Sequence, residues 1–270
     1  MTIKAPDGIH AAIHPQLFPI GCVLPTVTAI KQIKEAENWL KAKGCRIAYG
    51  PMYPYTWYPY RACLGPFDRS FFWGEPSFTA ELWEQSGYGV VSRYTSTLCP
   101  NIPEIERHQA ERANLEQKGW LFPSLKEKDV SLVTIHALTE QSFRQAFAYT
   151  PLSLNEFLAM YSPILQRSDL DLIIFAVSPD GKVMGFCFAI PDIENPELKQ
   201  FIVKTLAVHP DARREGIGGS LVGEVHRRAH EKGWVNGGIH AMMWEGSLSQ
   251  KITAHEGQLF RRYALFAKDL

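Results

Sequence analysis

The chain has 270 residues and a mass of 30.5 kDa, a length that suits two small domains or one large one. Hydrophobic residues make up 46% and charged residues 21%, which excludes disorder throughout and permits a sizeable core. The 28 basic and 28 acidic residues cancel, so no global field attracts nucleic acid or an anionic membrane. We expect small, mostly uncharged partners.

Cysteine usage and the first residues predict a cytoplasmic protein. The five cysteines are scattered, odd in number and without a C-x-x-C pair, so neither a zinc site nor a redox centre is expected. Met1 to Leu17 lack the apolar run of a signal peptide, and no stretch approaches the roughly 18 apolar residues that cross a membrane. We expect no metal, and either a monomer or a homodimer.

Residues 1–98 predict a small α/β block, because periodic segments alternate with turn residues. Its elements are a helix over Thr26–Lys43, a strand over Arg46–Tyr49, a helix over Thr79–Ser86 and a strand over Tyr88–Leu98. Residues 99–130 contain prolines, a polar helix over Glu104–Lys118 and a charge run, so they predict a linker.

Residues 131–270 predict a second, longer α/β block with a Pro-Asp-Gly turn between two apolar strands. The predicted elements are a strand (Leu132–Leu138), helices (Glu140–Ala148, Leu154–Leu165), a hairpin (Leu172–Val177, Val183–Ile190), a strand (Phe201–Val208), a helix (Ile217–Lys232), a strand (Gly237–Met243), a short helix (Ser247–Ala254) and a last strand (Gln258–Ala267).

A glycine-rich turn joins the strand over Phe201–Val208 to the next helix. Gly216, Gly218 and Gly219 allow close backbone approach, and N–H groups at a helix start attract anions such as a pyrophosphate. One interpretation is that the glycines serve packing alone. A dinucleotide-binding turn fits poorly because its third glycine falls on Leu221, and a P-loop is excluded because no Gly-Lys-Ser/Thr follows.

The run Arg213-Arg-Glu-Gly216-Ile-Gly218-Gly219, preceded by Leu206-Ala-Val208-His-Pro210, resembles the Q/R-x-x-G-x-G/A signature of the GNAT-type N-acetyltransferase superfamily. The order of elements over residues 131–270 also resembles that fold. The resemblance implies a mixed-sheet α/β (α+β) fold and an N-acyltransferase that uses acetyl-CoA, or another acyl-CoA, with an amine of a small molecule or peptide attacking directly in a ternary complex.

The resemblance also implies which residues bind the donor. Strand residues would pair with the pantetheine arm, and a Val208 N–H would stabilise the developing oxyanion. Amides and arginines of the turn would hold the pyrophosphate. The implied donor-binding residues are Leu206, Ala207, Val208, Arg213, Arg214, Glu215, Gly216, Ile217, Gly218, Gly219 and Ser220; residues 213–220 are called the signature turn below.

Two usual catalytic groups of the family are missing. Thr253 stands where a tyrosine often protonates the leaving thiolate, and Ile202 stands where a glutamate base often lies. The candidate substitutes are Tyr263, His255 and His240, each of which also has a plain interpretation as a packed or solvated side chain. A catalytically silent acyl-CoA-binding protein is therefore the alternative function. A relative that uses charged tRNA is a third hypothesis, against which the balanced charge argues.

The first block resembles a truncated second copy of the fold, because Leu82-Trp-Glu-Gln-Ser-Gly87-Tyr88 is similar to a family element and no phosphate-binding turn precedes it. An unrelated cap is the alternative. The aromatic residues between Met52 and Trp73 either line the acceptor site or join two domains, and Glu75 is a carboxylate that could receive an amine. The sequence thus predicts a tandem arrangement with an incomplete N-terminal repeat.

Overall fold

A computed structural model describes residues 2–72, 75–99, 106–253 and 257–270. The chain forms two compact units, and neither is one continuous stretch of sequence. Unit 1 consists of Met1–Thr95, Ala146–Pro151 and Arg261–Leu270, and unit 2 consists of Ser96–Gln145 and Leu152–Phe260.

Eleven strands and seven α-helices are present in the described ranges. The strands are β1 (Ile3–Lys4), β2 (Ala11–Ile13), β3 (Ile20–Val23), β4 (Ile47–Gly50), β5 (Ala62–Leu64), β6 (Gly89–Cys99), β7 (Ile173–Val177), β8 (Val183–Pro191), β9 (Phe201–Val208), β10 (Gly238–Trp244) and β11 (Gln258–Asp269). The helices are α1 (Ile30–Ala42), α2 (Glu81–Gln85), α3 (Glu106–Gln117), α4 (Leu132–Phe143), α5 (Leu154–Leu165), α6 (Ile217–Glu231) and α7 (Leu248–Thr253).

Unit 1 is a mixed sheet with α1 packed on it. Strands β1, β2 and β3 pair antiparallel, β3 pairs parallel with β4, and the end of β11 pairs antiparallel with both β4 and β5. Ile33, Ala36 and Leu40 recur at helical spacing on α1 and are completely buried, together with Trp83 of α2 and Phe266 of β11. The last residues of the chain thus complete the core of the first unit.

Unit 2 is built on the order β7-β8-β9-β10, in which the first two pairings are antiparallel and the third is parallel. A parallel pair needs a crossover connection, and α6 provides it. Ile217, Leu221, Val225 and Ala229 form one stripe along α6 and are buried in the core. This arrangement confirms the predicted mixed-sheet fold and holds the signature turn between β9 and α6.

The predicted strand over Leu132–Leu138 is wrong, because these residues form the first half of α4. Ser131 is the N-cap of that helix and its hydroxyl accepts a hydrogen bond from the Thr134 N–H. The strand position beside β7 is occupied instead by residues 121–125, where Leu121 exchanges two backbone hydrogen bonds of 2.9 Å with Val177. An N-cap serine before an apolar run was the available signal for a helix.

Residues 106–130, predicted as part of a linker, belong to unit 2. Leu115, Trp120 and Phe122 are buried in its core, so this segment is integral to the fold despite its charge run. The predicted helix within it is present as α3, while residues 100–105 lie outside the described ranges. The compact units also assign residues 146–151 and 261–270 to unit 1, whereas the sequence boundaries were drawn as continuous segments.

Candidate functional site

Strands β9 and β10 part where the pairing between them ends. Their described register runs from Phe201–Gly238 to Val203–His240, although β9 continues to Val208 and β10 to Trp244. Residues 204–208 are called the open edge of β9 below. Met242 turns β10 away with a φ of 50°, and its N–H donates to Ser96 Oγ on β6 over 2.9 Å. The gap leaves backbone groups of β9 available to a bound molecule.

The backbone of Leu206 and Val208 points toward the open edge. The N–H of His209 bonds to Met184 O of β8 over 2.8 Å, and the groups of an antiparallel strand alternate between its two sides. Since Val208 pairs with Gly185 and Leu206 with Cys187, their N–H and C=O groups face away from β8. By the same alternation, the backbone of Ala207 bonds to β8. Of the three strand residues that the resemblance implies for donor binding, Leu206 and Val208 therefore have backbone groups that face away from β8.

Arg213 fastens the start of the signature turn to its surroundings. Its Nε donates to Val208 O over 3.2 Å, and its Nη2 donates to Ser142 O at the end of α4 over 2.7 Å. The guanidinium therefore holds the turn against β9 and α4. The sequence prediction had placed this charge beside a phosphate, whereas the described contacts give it a structural role.

Arg214 and the first turn of α6 supply the positive character of the site. Arg214 is exposed, has a φ of 70°, and makes no ion pair within the described ranges. Gly216 caps α6 in the left-handed region, with a φ of 85°, and the N–H groups of the next residues have no partner within the helix. Ser220 differs, because both its N–H and its hydroxyl donate to Gly216 O.

Gly218 and Gly219 of the turn face different neighbouring elements. A Cβ on Gly218 would lie 3.1 Å from Ile252 Cδ1 of α7 and 3.8 Å from Leu206, so this glycine faces the open edge of β9. A Cβ on Gly219 would lie 2.5 Å from His108 Nδ1 and would also meet Glu111 Oε2, both on α3. The packing interpretation thus holds for Gly219, while Gly218 borders the candidate donor site.

His240 lies at the last paired position of β10, next to the gap, but its imidazole is buried. Its Nε2 is 3.0 Å from the Nε2 of His226 on α6, and the two rings stack with centroids 5.3 Å apart. Burial, together with the neighbouring charge of His108, lowers the pKa of His240 to about 3. The ring is therefore neutral at physiological pH and a weak base.

Tyr263 lies in unit 1 and is fully buried. Its hydroxyl donates to Glu75 Oε1 over 2.7 Å, and the same oxygen accepts from Arg261 Nη1. The Phe71 N–H donates to the other Glu75 oxygen over 3.1 Å. Glu75 thus organises its own loop, and its filled coordination replaces the sequence-based suggestion that it receives a substrate amine.

The structure also describes the two positions where the usual catalytic groups of the family are missing. Thr253, the counterpart of the family tyrosine, is buried and donates to Gln250 O over 3.2 Å and to Met243 Sδ over 3.7 Å. Ile202 is buried in β9 and cannot titrate. His255, with Trp73 of the aromatic stretch, lies outside the described residues.

The aromatic loop of unit 1 contacts the segment 146–151 of the same unit. Trp57 Nε1 donates to Thr150 O over 2.9 Å and its ring lies 5.9 Å from that of Tyr149. Tyr49 stacks on Phe147 at the same centroid distance. These contacts give Trp57 a structural role, and the idea that the loop also meets an acceptor stays a prediction.

Sequence reasoning missed the two α3 residues beside the signature turn. His108 is buried, and its Nδ1 donates to Glu111 Oε2 over 3.3 Å. A Cβ on Gly216 would lie 3.5 Å from Glu111 Cβ, so the same carboxylate side chain borders both ends of the first turn of α6. The signal available was Gly219 itself, a residue of the signature turn that has no side chain.

Residues 171–262 match the family model described as an acetyltransferase (GNAT) domain. This segment of the chain is therefore similar to a GNAT domain. The match covers the hairpin, the open edge of β9 and the whole signature turn, which confirms the family inferred from the motif. A sequence search of curated proteins found no match to the chain.

Solved structures share the fold. A GCN5-related N-acetyltransferase from Sphaerobacter thermophilus has a TM-score of 0.57 and 14% identity, over 96% of this chain and 76% of that one. A tandem GNAT protein from the clavulanic acid biosynthesis pathway has a TM-score of 0.53 and 11% identity, over 96% and 77%. The second likeness supports the tandem arrangement of GNAT folds.

A third structure is a GCN5-related glucosamine N-acetyltransferase region in a fungal multi-domain β-N-acetylglucosaminidase, with a TM-score of 0.56 and 14% identity. The match covers 88% of this chain and 27% of that one. At these identities the likeness concerns the GNAT fold alone. Within the described ranges no helix has the length and apolarity to cross a membrane, and no three potential ligand side chains group as a metal site.

Proposed function

We propose that the chain is an acyl-CoA-dependent N-acyltransferase that moves an acetyl group from acetyl-CoA to an amine of a small molecule or peptide. The observation that supports it most is the open edge of β9 directly before the signature turn, inside the segment that matches the GNAT family. The proposed location is the cytoplasm, on the sequence argument from dispersed cysteines.

The donor would bind along β9 and across the turn. Its pantetheine amides would pair with the outward N–H and C=O groups of Leu206, which leaves the outward N–H of Val208 for the thioester end. Its diphosphate would accept from the unpaired first-turn N–H groups of α6, with Arg214 as the exposed cation nearby. Gly218 leaves the space for this approach between the turn and Leu206.

The reaction would be a direct transfer. The neutral acceptor amine attacks the thioester carbon, a C–N bond forms, the C–S bond breaks, and CoA leaves as the thiol. The outward Val208 N–H would stabilise the oxyanion, and holding both reactants in one cleft would supply much of the acceleration. Because the pKa of His240 is about 3, water is the proposed relay, which takes the proton from the amine nitrogen and returns one to the departing sulfur.

The test combines binding and turnover. Acetyl-CoA at millimolar concentration should raise the melting temperature, because a ligand that binds only the native state stabilises it. Free CoA should then be released in the presence of one member of an amine panel. Gly218→Glu should abolish the thermal response, whereas Gly89→Glu, at a position with nothing within 4 Å, should retain it. No thermal shift in the unaltered chain would refute the proposal.

A catalytically silent acyl-CoA-binding protein is the second candidate function. It is favoured by Thr253 and Ile202, which stand where the family has its tyrosine and glutamate, and by the buried hydroxyl of Tyr263. Such a protein would show the same thermal shift. Absence of CoA release across the whole amine panel, with binding intact, would identify it.

A further inference from the structure

Helix α3 places a carboxylate beside the first turn of α6. A Cβ on Gly216 would lie 3.5 to 3.7 Å from three atoms of the Glu111 side chain, and one on Gly219 would meet Glu111 Oε2 itself. His108 Nδ1 donates to that same oxygen over 3.3 Å. His108 is 3% exposed and Glu111 is 38% exposed, so a fixed imidazole orients a partly solvated carboxylate.

An ion-pair network fixes the position of α3 along α6. Arg112, the residue after Glu111, pairs with Glu224 of α6, which is buried. Glu224 also accepts from Arg227 Nη2 and from Arg228 Nε, each over 2.7 Å. Breaking a buried, multiply bonded carboxylate network is costly, so α3 cannot slide away from the turn without loss of stability. Glu111 therefore stays beside the first turn of α6.

A negative charge at this position acts in two opposite ways. The unpaired N–H groups of the first turn carry a partial positive charge, which a nearby carboxylate stabilises. The same end of α6 is where the diphosphate of the donor would bind, and a carboxylate that borders this turn repels a bound anion. Glu111 thus stabilises the free protein and opposes the bound anion.

We propose that Glu111 is an affinity-determining residue of the donor site, one that weakens the binding of ligands carrying a diphosphate. This inference rests on the proposed function. It has a consequence for turnover, because CoA carries the same diphosphate as acetyl-CoA and its release is assisted by the same repulsion. A donor that lacks the diphosphate, such as S-acetylpantetheine, is insensitive to Glu111.

The experiment compares Glu111→Gln with Glu116→Gln. Both remove one negative charge from α3, but Glu116 lies farther along the helix, where it pairs with Arg112 at 3.4 Å. Titration calorimetry should show acetyl-CoA and CoA binding about three- to ten-fold tighter to Glu111→Gln, with the gain shrinking as salt is added. The free variant should melt at a lower temperature than the unaltered chain, and its KM for S-acetylpantetheine should not change.

Several results separate the possibilities. Absence of acetyl-CoA binding by the unaltered chain refutes the proposed function. Binding by the unaltered chain that Glu111→Gln leaves equal or weaker refutes the role of Glu111, as does equal tightening in Glu116→Gln. If Glu111→Gln also lowers the KM for S-acetylpantetheine, the proposed role of Glu111 is wrong, because repulsion of the diphosphate would not be the cause. Should Glu111→Gln not fold, Glu111→Asp, which withdraws the carboxylate by one methylene, should give a smaller gain of the same sign.

Discussion

The imidazoles of His226 and His240 stack in the core of unit 2, with their Nε2 atoms 3.0 Å apart. Nδ1 of His226 is buried without a partner among the described residues, so the assigned proton of this ring lies on Nε2 and is donated to His240. One proton lies between the two rings. A second proton, on Nε2 of His240, would place two N–H groups face to face.

Acid should therefore destabilise the protein through this pair. Burial is the main cause that lowers the pKa of both rings, to about 3 for His240 and well below its ordinary value for His226. The unfolded chain takes up protons near pH 6.5 while the native pair does not, so stability is full above about pH 6.5 and falls as the pH drops toward 3. Each ring contributes up to about 1.4 kcal/mol per pH unit. Urea unfolding between pH 7 and pH 4 measures this slope.

The exposed His230 on the same helix is the matched control for that measurement. His226→Phe should flatten the dependence of unfolding free energy on pH, whereas His230→Phe should leave it in place. Equal slopes for the two variants would contradict the assignment to the buried pair. Glu111 and His108 face α6 from α3 and are also titratable. Both are unchanged in the two α6 variants, so they do not affect the comparison of His226→Phe with His230→Phe.

Gly219→Ala should destabilise the protein although alanine favours helices. The added Cβ meets the ring of His108, which is buried and cannot swing aside, and overpacking of this kind costs about 1–3 kcal/mol. The gain in helix propensity is only about 1 kcal/mol. Gly218→Ala meets the flexible end of Ile252 at 3.1 Å and should be neutral or stabilising. Equal denaturant midpoints for Gly219→Ala and Gly218→Ala would contradict the predicted difference in stability.

Glu75→Gln should cost more stability than Tyr263→Phe. Among the described residues, the first change leaves the buried guanidinium of Arg261 with Asp68, at 2.7 Å, as its carboxylate partner, and we expect a loss of about 3 kcal/mol. The second removes one hydrogen bond and should cost about 1 kcal/mol. The measurement is thermal unfolding alongside CoA release. A large loss of turnover in Tyr263→Phe with unchanged stability would restore Tyr263 as a catalytic residue.

Arg213 and Arg214 should respond differently to alanine. Arg213→Ala removes hydrogen bonds to two carbonyl groups, of Val208 and Ser142, and should lower the melting temperature. Arg214→Ala removes an exposed cation without a described ion pair and should weaken acetyl-CoA binding several-fold, more at low salt than at high salt. Calorimetric affinities for acetyl-CoA and melting temperatures of the two variants test these separate roles. The assignment is wrong if only Arg213→Ala weakens acetyl-CoA binding and does so without lowering the melting temperature.

Much of unit 2 was predictable because its signals are local. The strand over Phe201–Val208 and the start of α6 at Ile217 coincide with the predicted bounds, since an apolar run, a glycine turn and a 3.6-residue pattern follow one another directly. The signature motif added the family. The parting of β9 from β10 was not predictable, because it depends on Met242 and Ser96, which are 146 residues apart.

The errors have a common physical origin in contacts between distant residues. Residues 121–125 form a strand position only because β7 lies beside them, and Pro123 together with the charge run that follows them obscured it. The sequence suggests a Glu75 carboxylate that could receive an amine, because no local pattern connects it to Arg261, 186 residues later. Local patterns predict elements, whereas the partners of a charged side chain depend on which elements the fold brings together.

The division of the chain has a consequence for experiments on its parts. Residues 261–270 belong to unit 1, where β11 pairs with β4 and β5 and buries Phe266. A fragment that stops at residue 98 would lose this strand and expose the partners that it covers. A fragment that starts at residue 131 would lose Trp120 and Phe122 from the core of unit 2. Isolating unit 1 therefore requires that residues 261–270 be supplied together with residues 1–95, which simple truncation does not do.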